Sequence, residues 1–305
     1  MITNAGTLVD KETSLILRVI MLFFALVFFH CAHASLSKLQ DSLPAALIVA
    51  EAKDDSVTDF INGLSGIDVT VIKTSSNITK DFECFKYSKV FMFGVKIADE
   101  SVLNCGVSRV VVIDKQEAIA NLRAKLGKDF GYVYTDQSIK NHLKVISENI
   151  PAIKTVGILY SNMDVVDEFN SASKGLNLEL VAVKIPDGDS AGRHFRRLLG
   201  QVDAILVTSN PVIWPPSDIK GYLLASVRQG KLIIGGTSSD NVKSGIFAGA
   251  FTDYLALGQH IRKKLSFLPS AEIKIASAPY YFKFNSFLAK RLGIDVRSES
   301  SEENY

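Results

Sequence analysis

Three short segments hold the side chains best suited to gripping a small polar molecule: Ser161-Asn162-Met163, Ser209-Asn210-Pro211 and Thr237-Ser238-Ser239. Each is rich in hydroxyl or amide groups, follows an apolar run and precedes a helical stretch. A helix start leaves backbone N–H groups unpaired and carries partial positive charge, so such loops suit a carboxylate or another anion. Ser, Asn and Thr are also ordinary N-cap residues, which is the simpler reading of any one of them; their recurrence at three loops is what raises the binding reading. Asp253 opens a further helix, placed either to cap it or to meet a ligand amine. Glu51 and Asp114, together with Lys53 and Gly94, follow earlier apolar runs. Tyr160 and Trp214 offer rings for an aromatic or apolar ligand. The alternative is that Tyr160 is core and that Trp214-Pro215-Pro216 stiffens a loop.

Reactive chemistry is not written into the chain. The sequence has no Gly-x-Ser-x-Gly elbow, no His-Glu-x-x-His, no phosphate-binding P-loop and no dinucleotide Gly-x-Gly-x-x-Gly. His142, His194 and His260 fall on helical stretches and read as surface or core residues. The expectation is a protein that is no enzyme, with no catalytic residue, no cofactor and no metal. Lys and Arg number 34 against 32 Asp and Glu, and the net charge of +2 is scattered, which disfavours nucleic acid as a partner.

The first forty residues differ from the rest. Arg18 precedes the apolar run Val19 to Phe29, and Ala32-His33-Ala34 supplies a small-x-small cleavage pattern. The run is short of the roughly 20 residues a membrane span needs. Residues 1–34 therefore read as a signal peptide for export to the periplasm. The long segment before Arg18, with Asp10 and Glu12, leaves an uncleaved anchor as the alternative, and Phe28-Phe29-His30 before Cys31 is a poor lipidation site. Removal of this segment leaves Cys84 and Cys105, which read either as a disulfide or as two buried thiols. Asn77-Ile78-Thr79 matches the short glycosylation sequon.

The candidate loops need rigid elements behind them. Of the 305 residues, 47% are hydrophobic and 22% charged, enough for two ordinary cores. Ala45–Ala50 reads as a buried strand and Asp55–Leu64 as a helix. Strands follow at Ile67–Ile72, Val90–Phe93 and Val110–Ile113, then a helix at Asp136–Asn149 with Pro151 just beyond it. The cadence restarts with the strand Thr155–Tyr160 and the helix Asp164–Lys174. Next come strand Leu178–Ile185, helix Gly192–Gly200, strand Ala204–Thr208, helix Ile219–Gln229 and strand Leu232–Ile234. Strand Ile246–Phe251, helix Tyr254–Leu265 and a strand and helix between Glu272 and Ile294 close the series. Apolar strands alternating with helices indicate parallel sheets covered on both faces. The restart near Pro151 indicates two α/β lobes rather than one continuous sheet.

Six segments of the second half stand out in order: Ile150 to Tyr160 (IPAIKTVGILY), Gly175 to Val181, Val202 to Val207, Gly236 to Gly245, Phe251 to Gly258 and Ala289 to Ile294. In these segments and their order the second half resembles the ABC-transporter substrate-binding family of the type I periplasmic binding-protein fold, in the branch labelled uncharacterised ABC substrate-binding proteins. The resemblance implies two Rossmann-like lobes with a cleft between them. Lobe 1 would be 41–152 plus 246–267, lobe 2 would be 153–245 plus 270–296, and 297–305 would be a disordered tail. It further implies capture of a small polar or amino-acid-like ligand for an ABC permease in the membrane. The first lobe departs from the family: Asp114-Lys115-Gln116-Glu117 stands at the usual "tDPv" turn, and Leu126 to Gly131 lacks the "PGGNvTG" form. That departure leaves open a second role, an orphan periplasmic component serving a membrane sensor.

Overall fold

The computed structural model describes residues 46–50, 54–73, 87, 89–94, 108–113, 122–124, 130–210, 212–265 and 272–297. The segment expected to be a signal peptide (1–34), Cys84, Cys105, Glu51, Asp114, the sequon match at 77–79 and residues 298–305 lie outside the described residues.

Among the described residues, two six-stranded sheets organise the fold. The first contains β1 (Ala46–Ala50), β2 (Val69–Lys73), β3 (Lys89–Phe93), β4 (Ser108–Ile113), β5 (Gly131–Tyr134) and β11 (Lys274–Ile275), in the order β11-β5-β4-β3-β1-β2. All its pairings are parallel. The second contains β6 (Thr155–Tyr160), β7 (Glu179–Lys184), β8 (Ala204–Val207), β9 (Leu232–Gly235), β10 (Ala248–Thr252) and β12 (Tyr280–Phe284), in the order β12-β10-β9-β8-β6-β7. Only β12, against β10, is antiparallel. The described helices are α1 (Asp55–Gly63), α2 (Ile139–Asn149), α3 (Met163–Ala172), α4 (Ala191–Leu199), α5 (Pro216–Arg228), α6 (Asp240–Lys243), α7 (Tyr254–Leu265) and α8 (Ser286–Leu292).

The central strands of each sheet are buried on both faces because they are apolar at nearly every position, as in β1 (ALIVA) and β8 (AILV), whereas the edge strand β7 (ELVAVK) is largely exposed or half-buried. Ile48 and Ala50 enter one cluster with α1 and α7, while Leu47 and Val49 enter another with Val90 and Val111. Alternation of side chains across a pleated strand sends successive residues to opposite faces. The second sheet repeats this, with Val156 and Ile158 on the face shared with α2 and α3, and Leu159 on the face shared with α4 and α5.

The described residues cross between lobes at three places: 135–138, Asp253, and 276–279. Helix α2 follows β5 of the first sheet, yet Ile139, Leu143 and Ile146 pack into the second core. Helix α7 follows β10 of the second sheet, yet Leu257 and Ile261 pack into the first core. The lobes thus exchange helices. The sequence-based division differs on this point, because it gave α2 and β10 to the first lobe and β11 to the second, while β12 and α8 do fall in the second lobe as expected. Strand β10 pairs with β9 and β12, and β11 pairs with β5. An apolar strand carries no local mark of the sheet that receives it.

Helices α1 and α7 meet at two glycines. A Cβ on Gly63 would lie 2.8 Å from the Cα of Gly258, and a Cβ on Gly258 would lie 2.9 Å from the Cα of Gly63, closer still to the Phe60 carbonyl. Only a glycine pair permits that backbone approach.

Candidate functional site

In a parallel sheet the carboxyl ends of the strands share one edge, and ligands bind beyond that edge. In the second lobe the loops after β6, β8 and β9 lie there, and each is shaped by its own side chain. Asn162 caps α3: its Oδ1 accepts from the Asp164 N–H at 3.2 Å, and its Nδ2 donates to Asp164 Oδ2 at 2.8 Å. Asn210 closes a turn by accepting the Val212 N–H on Oδ1 at 2.9 Å, while its carbonyl accepts from Ile213 and Trp214. After β9 the chain turns through Gly235 and Gly236, at φ of 94° and 93°. That left-handed backbone favours glycine. Asn241 Oδ1 then accepts from the N–H groups of Thr237 at 3.2 Å and Ser238 at 3.0 Å, and Ser238 Oγ accepts from Asp240.

These bonds show what the predicted residues do within the lobe. Asn162, Asn210 and Ser238 serve as caps or turn formers, and Asp253 caps α7 by accepting the Ala256 N–H at 2.8 Å. Ser161, Asn162, Ser209, Thr237 and Ser238 stay exposed, while Asn210 and Asp253 are half-buried. Met163 is 53% exposed and Val212 79%, so two apolar side chains stand beside the polar loops. The second-lobe edge therefore combines N–H-rich turns, hydroxyls and apolar contact.

Trp214 lies in the loop after β8, but its indole is turned inward and not presented at that edge. It is 5% exposed and packs edge-on against Phe195 at 6.0 Å and Tyr222 at 5.6 Å, in the core under α4 and α5. A small apolar pocket lined by Trp214, Tyr222 and Leu223 lies there, behind the loops. Tyr160 ends β6 half-buried. His194 Nε2 donates to Asp189 Oδ2 at 2.8 Å, and that bond, seconded by the Ser190 N–H, holds the Asp189 carboxyl below its usual range. Among the described residues no group of His, Cys, Asp and Glu is arranged to hold a metal ion.

The seam between the lobes holds polar residues that sequence reasoning missed. Thr135 at the first crossing accepts through its carbonyl from Thr252 Oγ1, and Gln137 Nε2 donates to Thr252 Oγ1 at 2.7 Å. Tyr254 stands at the start of α7 near Thr135 and Ser56; burial, with Asp54 and Asp136 adding to it, raises its pKa above the ordinary tyrosine value. Asp54 itself caps α1 through the Val57 N–H at 2.9 Å. The available signal was positional: these polar residues fall where an apolar strand ends and the next element begins.

No protein-family description matches the chain, and no curated protein matches it. Solved structures do. The ligand-free, open structure of CD0873, a substrate-binding protein with adhesive properties from Clostridium difficile, aligns with a TM-score of 0.61 at 14% identity, over 86% of this chain and 98% of that one. The ABC domain from Streptococcus pneumoniae in complex with L-Trp aligns at 0.51 and 18% identity, over 83% and 95%. A conserved domain protein from Vibrio cholerae aligns at 0.51 and 15% identity, over 85% and 100%. No helix among the described residues is long and apolar enough to cross a membrane. With two parallel-dominated sheets and the chain crossing between them, this protein has the two-lobed type I periplasmic binding-protein fold that its sequence resemblance implied.

Proposed function

We propose that the protein captures a small polar or amino-acid-like ligand between its lobes in the periplasm and delivers it to an ABC importer. The observation that carries this reading is the second-lobe edge. There three loops present exposed hydroxyl and amide groups beside the apolar Met163 and Val212. Hydroxyls and N–H groups at α3 and α6 suit a carboxylate, and Met163 and Val212 suit an apolar side chain. Ser161, Asn162, Met163, Ser209, Asn210, Thr237 and Ser238 form the proposed second-lobe half-site. Glu51, Asp114 and Asp253 are the proposed carboxylates for a ligand amine. The fold supports the reading, since one solved structure that shares it holds L-Trp.

The test is thermal unfolding of the exported chain against a panel of amino acids and related metabolites. A ligand at about 100 times its Kd adds about 2.7 kcal/mol to a folded state that alone binds it. The expected result is a raised Tm with at least one amino acid, lost in the S161A/T237A double variant. No shift across the panel, with no ligand retained on purification, overturns the reading.

A further inference from the structure

We infer that Gln137 is the positioning residue of the interlobe seam: a single side chain that ties all three crossings together and so sets the angle at which the two lobes face each other. Its amide nitrogen donates to Thr252 Oγ1 at 2.7 Å and is within 3.4 Å of the Thr135 carbonyl and 3.5 Å of the Ala278 carbonyl. Its Oε1 accepts from Asn141 Nδ2 at 2.8 Å, and Asn141 also donates to Ser277 Oγ at 3.2 Å. Thr135 and Gln137 lie on the first crossing, Thr252 leads into the second, and Ser277 and Ala278 form the third. The Asp253 N–H, donating to the Pro279 carbonyl at 2.9 Å, adds a direct tie between the second and third.

The network fixes the orientation of the amide. Rotated the other way, Oε1 would face the Thr135 and Ala278 carbonyls and a Thr252 oxygen whose proton goes to Thr135, while NH2 would face the Asn141 amide nitrogen. Every contact would be lost. Thr135 and Thr252 are 7% and 8% exposed, so water has little access to replace these bonds. A lobe rotation must change the backbone torsions of the three crossings, which is how hinge motions proceed. A side chain bonded to all three holds them in one relative arrangement.

The inference rests on the crossings alone and stands or falls without any ligand. The experiment attaches a fluorophore pair, by non-cysteine chemistry, at exposed Asp59 on α1 and Asn170 on α3 of the full chain, and reads the distribution of interlobe distances. Gln137→Met keeps the volume and removes the hydrogen bonds. We expect a distribution roughly twofold wider than in the parent chain, with secondary structure by circular dichroism unchanged. Gln137→Glu places a carboxylate against three acceptors. It should be as wide as Q137M at neutral pH and narrow towards the parent near pH 5, where a carboxyl with a raised pKa regains a donor proton. Asn141→Leu, which removes the donor to Oε1, should widen the distribution less and serves if Q137M does not fold. Distributions for Q137M and N141L that superimpose on the parent, or a Q137E distribution with the parent's pH response, overturn the inference.

Discussion

The two lobes use one strand order and complete it differently. Reading each sheet from its edge, β2-β1-β3-β4-β5-β11 corresponds position by position to β7-β6-β8-β9-β10-β12. In the first lobe the sixth strand is two residues long and parallel; in the second it is five residues long and antiparallel. In both, the fifth strand sends its following helix to the other lobe, α2 in one direction and α7 in the other. The lobes therefore share an architecture but not a self-contained chain segment. The first lobe draws β11 and α7 from the last third of the sequence, whereas most of the second runs from Ile139 to Thr252. Assembly of the first core depends on contacts separated by about two hundred positions, as between Gly63 and Gly258, and such long-range closure forms slowly.

The largest expected effect breaks the first lobe alone. In a helix interior Gly→Ala normally stabilises by up to about 1 kcal/mol. At Gly258 the new Cβ meets backbone of α1, which cannot swing aside as a side chain can. G258A should cost about 3 kcal/mol in urea unfolding, the upper part of the range for overpacking. At Gly221 on α5 a Cβ meets nothing within 4 Å, so G221A should stabilise by about 0.5–1 kcal/mol. Equal effects of the two substitutions would remove the distinction drawn here between the packing of α7 and that of α5.

This pair of glycines marks the boundary of what the sequence discloses. The strand Thr155–Tyr160 is read at its observed limits from six residues, and α1, α4 and α7 fall within a residue or two of their expected ends. Those elements are set by local periodicity and caps. Which sheet takes β10, where the chain crosses, and why Gly63 is glycine are set by residues far away in sequence. The candidate site divides in the same way. The polar second-lobe loops were visible because capping residues recur at fixed places after strands, while Gln137, Thr252 and Tyr254 matter only through partners brought together by the three crossings.

The next effect belongs to the second lobe. His142 on α2 is buried, lies edge-on to Phe251 at 6.5 Å, and accepts the Ala250 N–H on Nδ1 at 3.1 Å. That bond serves an N–H of β10, where pairing with β9 is confined to Ala248 and Ile234. It requires a neutral ring, and burial lowers the pKa from 6.5 to about 4. The sign follows: between about pH 6.5 and pH 4 the unfolded chain takes up a proton that the folded chain refuses. Stability is full above that window, falls as pH drops through it, and levels off below. The full loss is about 3 kcal/mol. In H142N, where the amide oxygen stands in as a non-titrating acceptor, the neutral-pH stability should be lower by about 1 kcal/mol and the acid slope correspondingly shallower. An unchanged slope assigns the acid sensitivity to other groups.

The smallest effect tests whether the lobes separate at all. Trp214 is the single tryptophan in the chain and sits wholly within the second lobe, 5% exposed against Phe195 and Tyr222. Its emission therefore reports the packing of that lobe and nothing of the first. Because the lobes exchange α2 and α7, emission and far-ultraviolet circular dichroism should give coincident urea transitions in the parent protein, the mark of one cooperative unit. In G258A the two curves should part, with circular dichroism falling first as the first lobe opens and emission following as the second unfolds. A ligand held at the strand-end loops should leave the emission maximum nearly unmoved, since the indole lies behind those loops in the core. A large shift on ligand addition would bring Trp214 into the binding site. Coincident curves in G258A would mean that exchange of the two helices binds the lobes too tightly for either to fail alone.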